Sequence, residues 1–237
     1  MKSIKFNRNQ LKYLALVAMV MDHIAPAFPH PWYELFRFFG RITAPIMCFF
    51  LSEGFRHTHN RTNYLIRLGV FAFLSQFAFV YAHHYPHIYS SGNMILTLFF
   101  CALILVVLDS QLSDPLKVIL ASLLGGCTLV MDWGIAAPVW VVLFYKNHEN
   151  RSAIPYALLQ GYAAHFAKLL FLTLMDGRHI SIHSYMLGTL LAIPLIHCYN
   201  GKPGSSHPFH KYMFYLFYPL HLVLLPKALT LLSSILH

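Results

Sequence analysis

The chain has 237 residues, of which 57% are hydrophobic and only 11% are charged, and its mean hydropathy is +0.55. Soluble domains usually carry about 25% charged residues, so this composition excludes an ordinary soluble protein and indicates an integral membrane protein. The 17 Lys and Arg outnumber the 8 Asp and Glu, but most of these cations lie in short connections between apolar runs. That distribution predicts signals of membrane orientation, and we expect no nucleic-acid partner.

Nine apolar segments are candidates for crossing a bilayer, which takes about 20 helical residues, or fewer where a segment is re-entrant. They are 11–28, 35–55, 64–82, 93–109, 115–131, 134–146, 152–175, 184–198 and 212–235. The sixth segment is short and follows a tight turn at 132–134, so eight spans plus a re-entrant segment is the alternative. We therefore predict an all-α, polytopic membrane protein with about nine transmembrane helices in one domain, 1–237.

The basic residues predict the orientation of these segments. One set of connections holds Arg56, Arg61, Lys117, Lys146, Arg151, Lys202 and Lys211. The opposite set holds little beyond Arg37 and Arg178, and the 83–92 connection has no Lys or Arg. Because basic connections stay in the cytoplasm, we predict a cytoplasmic N-terminus and, with nine spans, an external C-terminus. The first apolar run lacks a cleavage site and is interpreted as a retained helix.

Ionisable side chains inside the apolar segments are the strongest functional signal, because a charge at membrane depth costs a few kcal/mol or more. Asp22 and His23 are neighbours on the first segment, so their side chains diverge by about 100° on a helix. We expect one of them to face a polar cavity and the other to pair, with Arg41 of the second segment as the partner of Asp22.

Further polar residues occupy later segments and turns. His165 and Lys168 are three residues apart and share a helix face. Asp132 lies in the turn at 132–134, and His221 falls near the membrane midplane beside Pro219. A structural role, in hydrogen bonds between helices or in snorkelling, is the alternative for His165, Lys168 and His221.

A second polar group surrounds the connection between the second and third segments. It consists of Glu53, Arg56, His57, His59, Arg61 and Arg67. We interpret this group as a basic mouth on the cytoplasmic side, and a pure role in membrane orientation is equally compatible with it. The four cysteines stand singly in apolar stretches without metal-ligand spacing, so we expect core thiols and no metal site.

Several motifs in their order along the chain resemble the TraX family of integral membrane proteins. They are Met21-Asp22-His23, Gly40-Arg41 with Pro45, Arg56-His57-Thr58-His59, Arg67, Ser75-Gln76, Gly92-Asn93, Asp132-Trp133-Gly134 and Tyr218-Pro219-Leu220-His221. The family's namesake acetylates the N-terminus of conjugative pilin. The resemblance therefore implies acyl transfer from acetyl-CoA by a protein of the bacterial inner membrane.

The residues permit a mechanism for this implied reaction. His23 would be the general base, because a neutral imidazole with a pKa near 6.5 can accept the proton of the attacking group. Asp22 or Asp132 would orient it, Arg41 would balance the carboxylate, and His221 is the competing base. Donors for the oxyanion would come from Asn93, Tyr218 and Gln76. The phosphates of coenzyme A would bind at Arg56, Arg61 and Arg67, with His57 beside them.

The sequence leaves the acceptor open among a pilin, a glycan, a lipid and a small molecule. Two other functional classes also fit buried polar residues: a small proton-coupled transporter and a non-catalytic envelope or pilus assembly subunit. The absence of an internal sequence repeat argues against the transporter, since transporters commonly contain one. An oligomer is compatible with the sequence.

Overall fold

A computed structural model describes residues 5–176 and 183–236 of the chain, and Arg178 lies outside these ranges. The described residues form α-helices and short 3₁₀ turns without a β-strand, which confirms the all-α prediction. The α-helices are α1 (Arg8–Ile24), α2 (Trp32–Gly40), α3 (Thr43–His57), α4 (Arg61–Ala82), α5 (Met94–Leu108), α6 (Asp114–Cys127), α7 (Ala136–Lys146), α8 (Ile154–Asp176), α9 (Ala192–His197) and α10 (Pro208–Leu236).

Four helical stretches of the described chain are long and apolar enough to cross a membrane. They are Trp32–His57, Arg61–Ala82, Arg151–Met175 and Pro208–Leu229. Large apolar side chains stand exposed on these stretches, as expected of helices that face lipid, among them Val70, Phe73, Phe77 and Leu159. The protein is thus an integral membrane protein. The count of nine spans stays a prediction, because the other segments form shorter helices.

The second predicted segment is not one continuous helix. α2 ends at Gly40 and α3 begins at Thr43, with a turn at Arg41 and Ile42. Pro45 explains the break, because its ring would clash with the carbonyl group of Arg41 if a single α-helix ran through both residues. The eighth predicted segment also differs, since it combines a 3₁₀ helix over Ser184–Leu191 with the short α9.

Contacts among the described residues group the chain into two compact units. The first unit comprises Met1–Met47, Leu74–Ile88 and Ser184–His237; the second unit comprises Cys48–Phe73 and Tyr89–His183. The prediction of one membrane domain is not tested by this grouping.

In the first unit, α1 packs against α2 and α10, and α2 packs against the Ser184–Leu191 helix. Asn7 caps α1 through a capping box with Gln10. The hydroxyl group of Thr43 donates to the carbonyl of Ala15 at 2.9 Å and ties the start of α3 to α1. Tyr13 and His210 hydrogen-bond at 2.7 Å between α1 and α10. These contacts hold the helices that carry Asp22, Arg41 and His221.

In the second unit, α5 packs against α6 and α7, and α7 packs against α8. The indole N–H of Trp140 donates to the carbonyl of Leu158 at 3.2 Å across the last pair. The predicted tight turn at 132–134 is present, with positive φ at Trp133 (61°) and Gly134 (39°).

Candidate active site

Asp22 accepts hydrogen bonds from two arginines of the first unit. Nη2 of Arg41 lies 2.6 Å from Oδ1 and 2.8 Å from Oδ2 of Asp22, which confirms the predicted pairing. Nη1 of Arg37 lies 3.1 Å from Oδ2. Sequence reasoning treated Arg37 only as an external charge, although its spacing of four residues from Arg41 placed both on one helix face. We call Asp22, Arg37 and Arg41 the ion triad. Because two arginines bind one carboxylate, the triad carries one net positive charge.

Two neighbouring residues, Gly40 and Tyr185, shape the ion triad. A Cβ atom on Gly40 would clash with the Asp22 side chain, so the glycine permits the close approach of α2 to α1. The ring of Tyr185 lies under both guanidinium groups, with its centroid 5.3 Å from Cζ of Arg37 and 5.4 Å from Cζ of Arg41. The same tyrosine lines an open, largely apolar cleft of about 560 Å³ between α2 and the Ser184–Leu191 helix.

Three histidines of the first unit lie side by side. The ring centroid of His23 is 4.9 Å from that of His221 and 6.2 Å from that of His83. His23 and His221 were predicted as competing bases, and the structure makes them neighbours. The sequence places His83 in the 83–92 connection, outside the predicted apolar segments. The signal in the sequence that could have linked His83 to the site was its position directly after Ala82, at the end of an apolar segment.

Hydrogen bonds define the tautomer of His221. Its Nδ1 lies 2.9 Å from the carbonyl oxygen of Phe217, and a carbonyl only accepts, so Nδ1 carries the proton. Nε2 therefore presents a lone pair. That atom is buried and has no hydrogen-bond partner among the described residues. The ring of Phe217 stacks on His221 and the ring of Tyr218 meets it edge-on at 5.5 Å. A buried imidazole lone pair of this kind is chemically able to accept a proton.

Hydrogen bonds that involve main-chain atoms hold three further predicted residues of the reaction site. Asn93 is fully buried, donates to the carbonyl of Ala72 at 2.9 Å and accepts from the N–H of Leu96 at 3.0 Å. Gln76 donates to the carbonyl of Ile88 at 2.7 Å. Asp132 belongs to the second unit, where its own carbonyl oxygen accepts from Thr97. These contacts give the three residues structural tasks, and their catalytic roles stay predictions.

The predicted basic mouth lies in the second unit and contains ion pairs. Arg61 pairs with Asp109 at 2.6 Å, and the hydroxyl group of Tyr145 donates to the same carboxylate at 2.6 Å. Arg56 pairs with Glu53 at 3.0 Å, with His57 3.7 Å from that carboxylate. Sequence reasoning missed Asp109 and Tyr145, because neither stands near the arginines in the chain.

Arg56 of the mouth offers a donor group for an anion. Nη1 of Arg56 is buried without a hydrogen-bond partner among the described residues. The guanidinium of Arg67 lies 5.6 Å from the ring centroid of Tyr64. Elsewhere in the second unit, the ammonium group of Lys168 donates to the carbonyl of Leu129. No group of three or more His, Cys, Asp or Glu side chains in residues 5–176 and 183–236 has the arrangement of a metal site.

Comparisons with known proteins give one consistent result. A family model described as "TraX protein" matches residues 7–229. The chain is also 35% identical to the "Probable fimbrial assembly protein FimC, serogroup H1" of Dichelobacter nodosus, over 96% of this chain and 97% of that protein. No solved structure matches the chain.

Proposed function

This chain belongs to the TraX family, and from that premise we propose that it is an integral membrane acyltransferase. It transfers an acetyl group from acetyl-CoA to an amine or hydroxyl acceptor. The observation that carries the proposal is the lone pair of His221 Nε2, which is buried, unpartnered among the described residues and held in one tautomer.

In the proposed mechanism, His221 is the base. Nε2 removes a proton from the acceptor as its nitrogen or oxygen attacks the thioester carbonyl, and a bond to carbon forms. The tetrahedral intermediate collapses with breakage of the C–S bond, and the coenzyme A thiolate leaves. The thiolate takes up the second proton that an ammonium or water acceptor loses, or the proton held by His221 when the acceptor is a hydroxyl group. Base catalysis of this kind contributes about 10²–10⁴-fold. The ring centroid of His23, the other predicted base, lies 4.9 Å from that of His221.

The ion triad has an electrostatic task in this mechanism rather than the predicted task of orienting His23. Asp22 accepts from Arg37 and Arg41, so its carboxylate is engaged by those two cations. The triad's net positive charge stabilises the negative charge that develops on the thioester oxygen, an effect that is large where water is excluded. The hydroxyl group of Tyr218, beside His221, is the proposed hydrogen-bond donor to that oxygen.

Acetyl-CoA binding is proposed at the basic mouth. The buried Nη1 of Arg56 supports it, because a buried donor without a partner gains a charge-assisted bond from a phosphate. Arg67 is the second proposed phosphate contact. Arg61 ranks below Arg56, since each is paired with a carboxylate but only Arg56 has a buried guanidinium nitrogen without a partner among the described residues.

We propose a pilin-like subunit as the acceptor and the bacterial inner membrane as the location, with nine spans and a cytoplasmic N-terminus. The printed name of the Dichelobacter nodosus relative, a probable fimbrial assembly protein, supports a pilus-related role. The apolar cleft beside Tyr185 suits an acceptor with an apolar portion. Glycans, lipids and small molecules remain the acceptors to compare with it.

The decisive experiment measures acetyl-CoA binding and thioester cleavage by the detergent-purified protein. We expect His221→Ala to retain binding and to lose cleavage by about 10²-fold or more. His197→Ala is the matched control, because exposed His197 makes the same type of Nδ1 bond, 2.8 Å from the carbonyl of Ile193. Arg56→Gln and Arg67→Glu should weaken binding, while Arg151→Gln on the exposed surface should not.

A non-catalytic assembly subunit is the second candidate, favoured by the same relative's name. It predicts a folded wild-type protein that neither binds nor cleaves acetyl-CoA. Loss of pilus assembly in cells without the protein, restored equally by wild type and His221→Ala, would favour that candidate over the enzyme.

A further inference from the structure

Among the three neighbouring histidines of the first unit, exposure rises from His221 through His23 to His83. His221 is only 5% exposed, His23 is half-buried, and His83 is exposed at the end of α4. His23 lies between the other two, at centroid distances of 4.9 Å and 6.2 Å. The three rings therefore lead from the buried base to the surface.

The two outer rings are held in matching tautomers. Nδ1 of His83 lies 2.9 Å from the carbonyl oxygen of Phe79, as Nδ1 of His221 does from that of Phe217. Each Nδ1 therefore donates to a carbonyl four residues earlier, and each Nε2 is the nitrogen that can exchange a proton. The His23 ring forms no hydrogen bond with the described residues, so it can turn between its two neighbours.

The distances suit proton transfer between imidazoles. A centroid separation of 4.9 Å permits a direct N–H···N contact with an N···N distance of about 3 Å. At the 6.2 Å separation from His83 the nearest ring nitrogens stay about 4 Å apart, so one bridging water completes this step. His23, whose two ring nitrogens are not held by carbonyls, can accept a proton on one nitrogen and release one from the other, which is the property of a proton shuttle.

The balance of the proposed reaction gives such an exit a use when an amine acceptor enters the site as an ammonium ion. An ammonium acceptor and acetyl-CoA yield an amide, the coenzyme A thiol and one proton for the solvent. Hydrolysis also releases one proton: the base takes one proton of the attacking water, and the carboxyl group that forms passes the other to the coenzyme A thiolate and becomes acetate. A hydroxyl acceptor yields an ester and the thiol, with no net proton released.

We propose that His221, His23 and His83 form a relay that carries the acceptor's proton from the buried base to the surface. The relay rests on the proposed acyltransferase function and adds His23 and His83 to it. His221 Nε2 takes the proton, His23 accepts it and passes one on from its opposite nitrogen, and His83 Nε2 delivers it to water.

The test follows acetyl-CoA hydrolysis by the full-length, detergent-purified protein. We expect His83→Ala to lower kcat about tenfold, with KM for acetyl-CoA unchanged, and added imidazole to restore the rate. The matched control is His84→Ala, since His84 is the exposed neighbour and takes no part in the ring cluster. His83→Gln should behave like His83→Ala, because glutamine can donate to Phe79 but cannot shuttle a proton.

Rescue by imidazole separates the relay from a structural role, because a misfolded variant would not regain activity. An active wild type with an equally active His83→Ala variant would overturn the relay and leave the acyltransferase standing. A slow His83→Ala variant whose activity imidazole does not restore would likewise overturn the relay and leave the acyltransferase standing. A folded wild type that cleaves no thioester would overturn both proposals.

Discussion

Asp22 holds two arginines on a single carboxylate within a helical membrane protein. The side chains of Asp22, Arg41 and Arg37 are 18%, 13% and 26% exposed. Buried ion pairs add little net stability, but removal of one partner strands the other charge, at about 3–5 kcal/mol for a fully buried pair. The stability of the first unit should therefore depend strongly on Asp22 and less on either arginine.

We predict that Asp22→Asn lowers the free energy of unfolding by about 2–3 kcal/mol, below the fully buried range because the triad is partly exposed. Asparagine keeps the size of the side chain but leaves two cations together. Thermal unfolding in detergent would measure the loss. The double variant Asp22→Asn/Arg41→Gln should be more stable than Asp22→Asn, since it removes one stranded cation; equal stability would contradict this electrostatic account.

Helix α2 approaches α1 at Gly40, where the structure leaves no room for a side chain. We predict that Gly40→Ala destabilises the protein by about 1–3 kcal/mol, because the added methyl group meets Asp22 and displaces the triad. Gly126→Ala in α6 is the control, since its Cβ would meet nothing within 4 Å and should stabilise the helix by about 0.5 kcal/mol. Similar melting temperatures for the two variants would refute the proposed packing.

Helix α5 begins at an asparagine that also ties it to α4. We predict that Asn93→Ala costs about 1–3 kcal/mol, from the lost cap and the lost bond to Ala72. Ser113→Ala is the matched control, because Ser113 occupies the same position before α6 and forms no side-chain cap. Denaturant unfolding would compare them. A stable but inactive Asn93→Ala would instead favour the predicted role at the oxyanion.

Sequence reasoning predicted several elements from local pattern, although it missed the break that Pro45 causes between α2 and α3. Apolar length predicted α4 and α8 closely, and the depth of Asp22 and Arg41 predicted their pairing. It missed contacts between residues distant in sequence. Arg61 and Asp109 are 48 positions apart, and only packing in the second unit brings their charges together.

The histidines show a second limit of sequence reasoning. His221 and His23 stood out by their depth in apolar segments, but their adjacency depends on how α1 and α10 pack. His83 had the pattern of a loop residue, and its exposed position agrees with that interpretation. Only the ring geometry shows that it also stands beside His23.

At the scale of the whole molecule, the distribution of basic residues predicts which connections face the cytoplasm. The residues 83–92 contain no Lys or Arg, whereas the connection after α7 lies between Lys146 and Arg151. The positive-inside rule therefore assigns these two connections to opposite sides of the membrane. With nine spans, the sixth segment crosses the membrane and the connection after α7 lies in the cytoplasm. A re-entrant sixth segment would place that connection outside.

We predict that Tyr89→Cys reacts with a membrane-impermeant maleimide in intact spheroplasts and that Glu149→Cys reacts only after lysis. Both positions suit labelling, since Tyr89 is 79% exposed and the Glu149 side chain is 90% exposed. The background needs Cys127 and Cys198 changed to Ser, whereas the fully buried Cys48 and Cys101 can stay. External labelling at both positions would favour eight spans with a re-entrant segment, and labelling of Glu149→Cys alone would reverse the orientation.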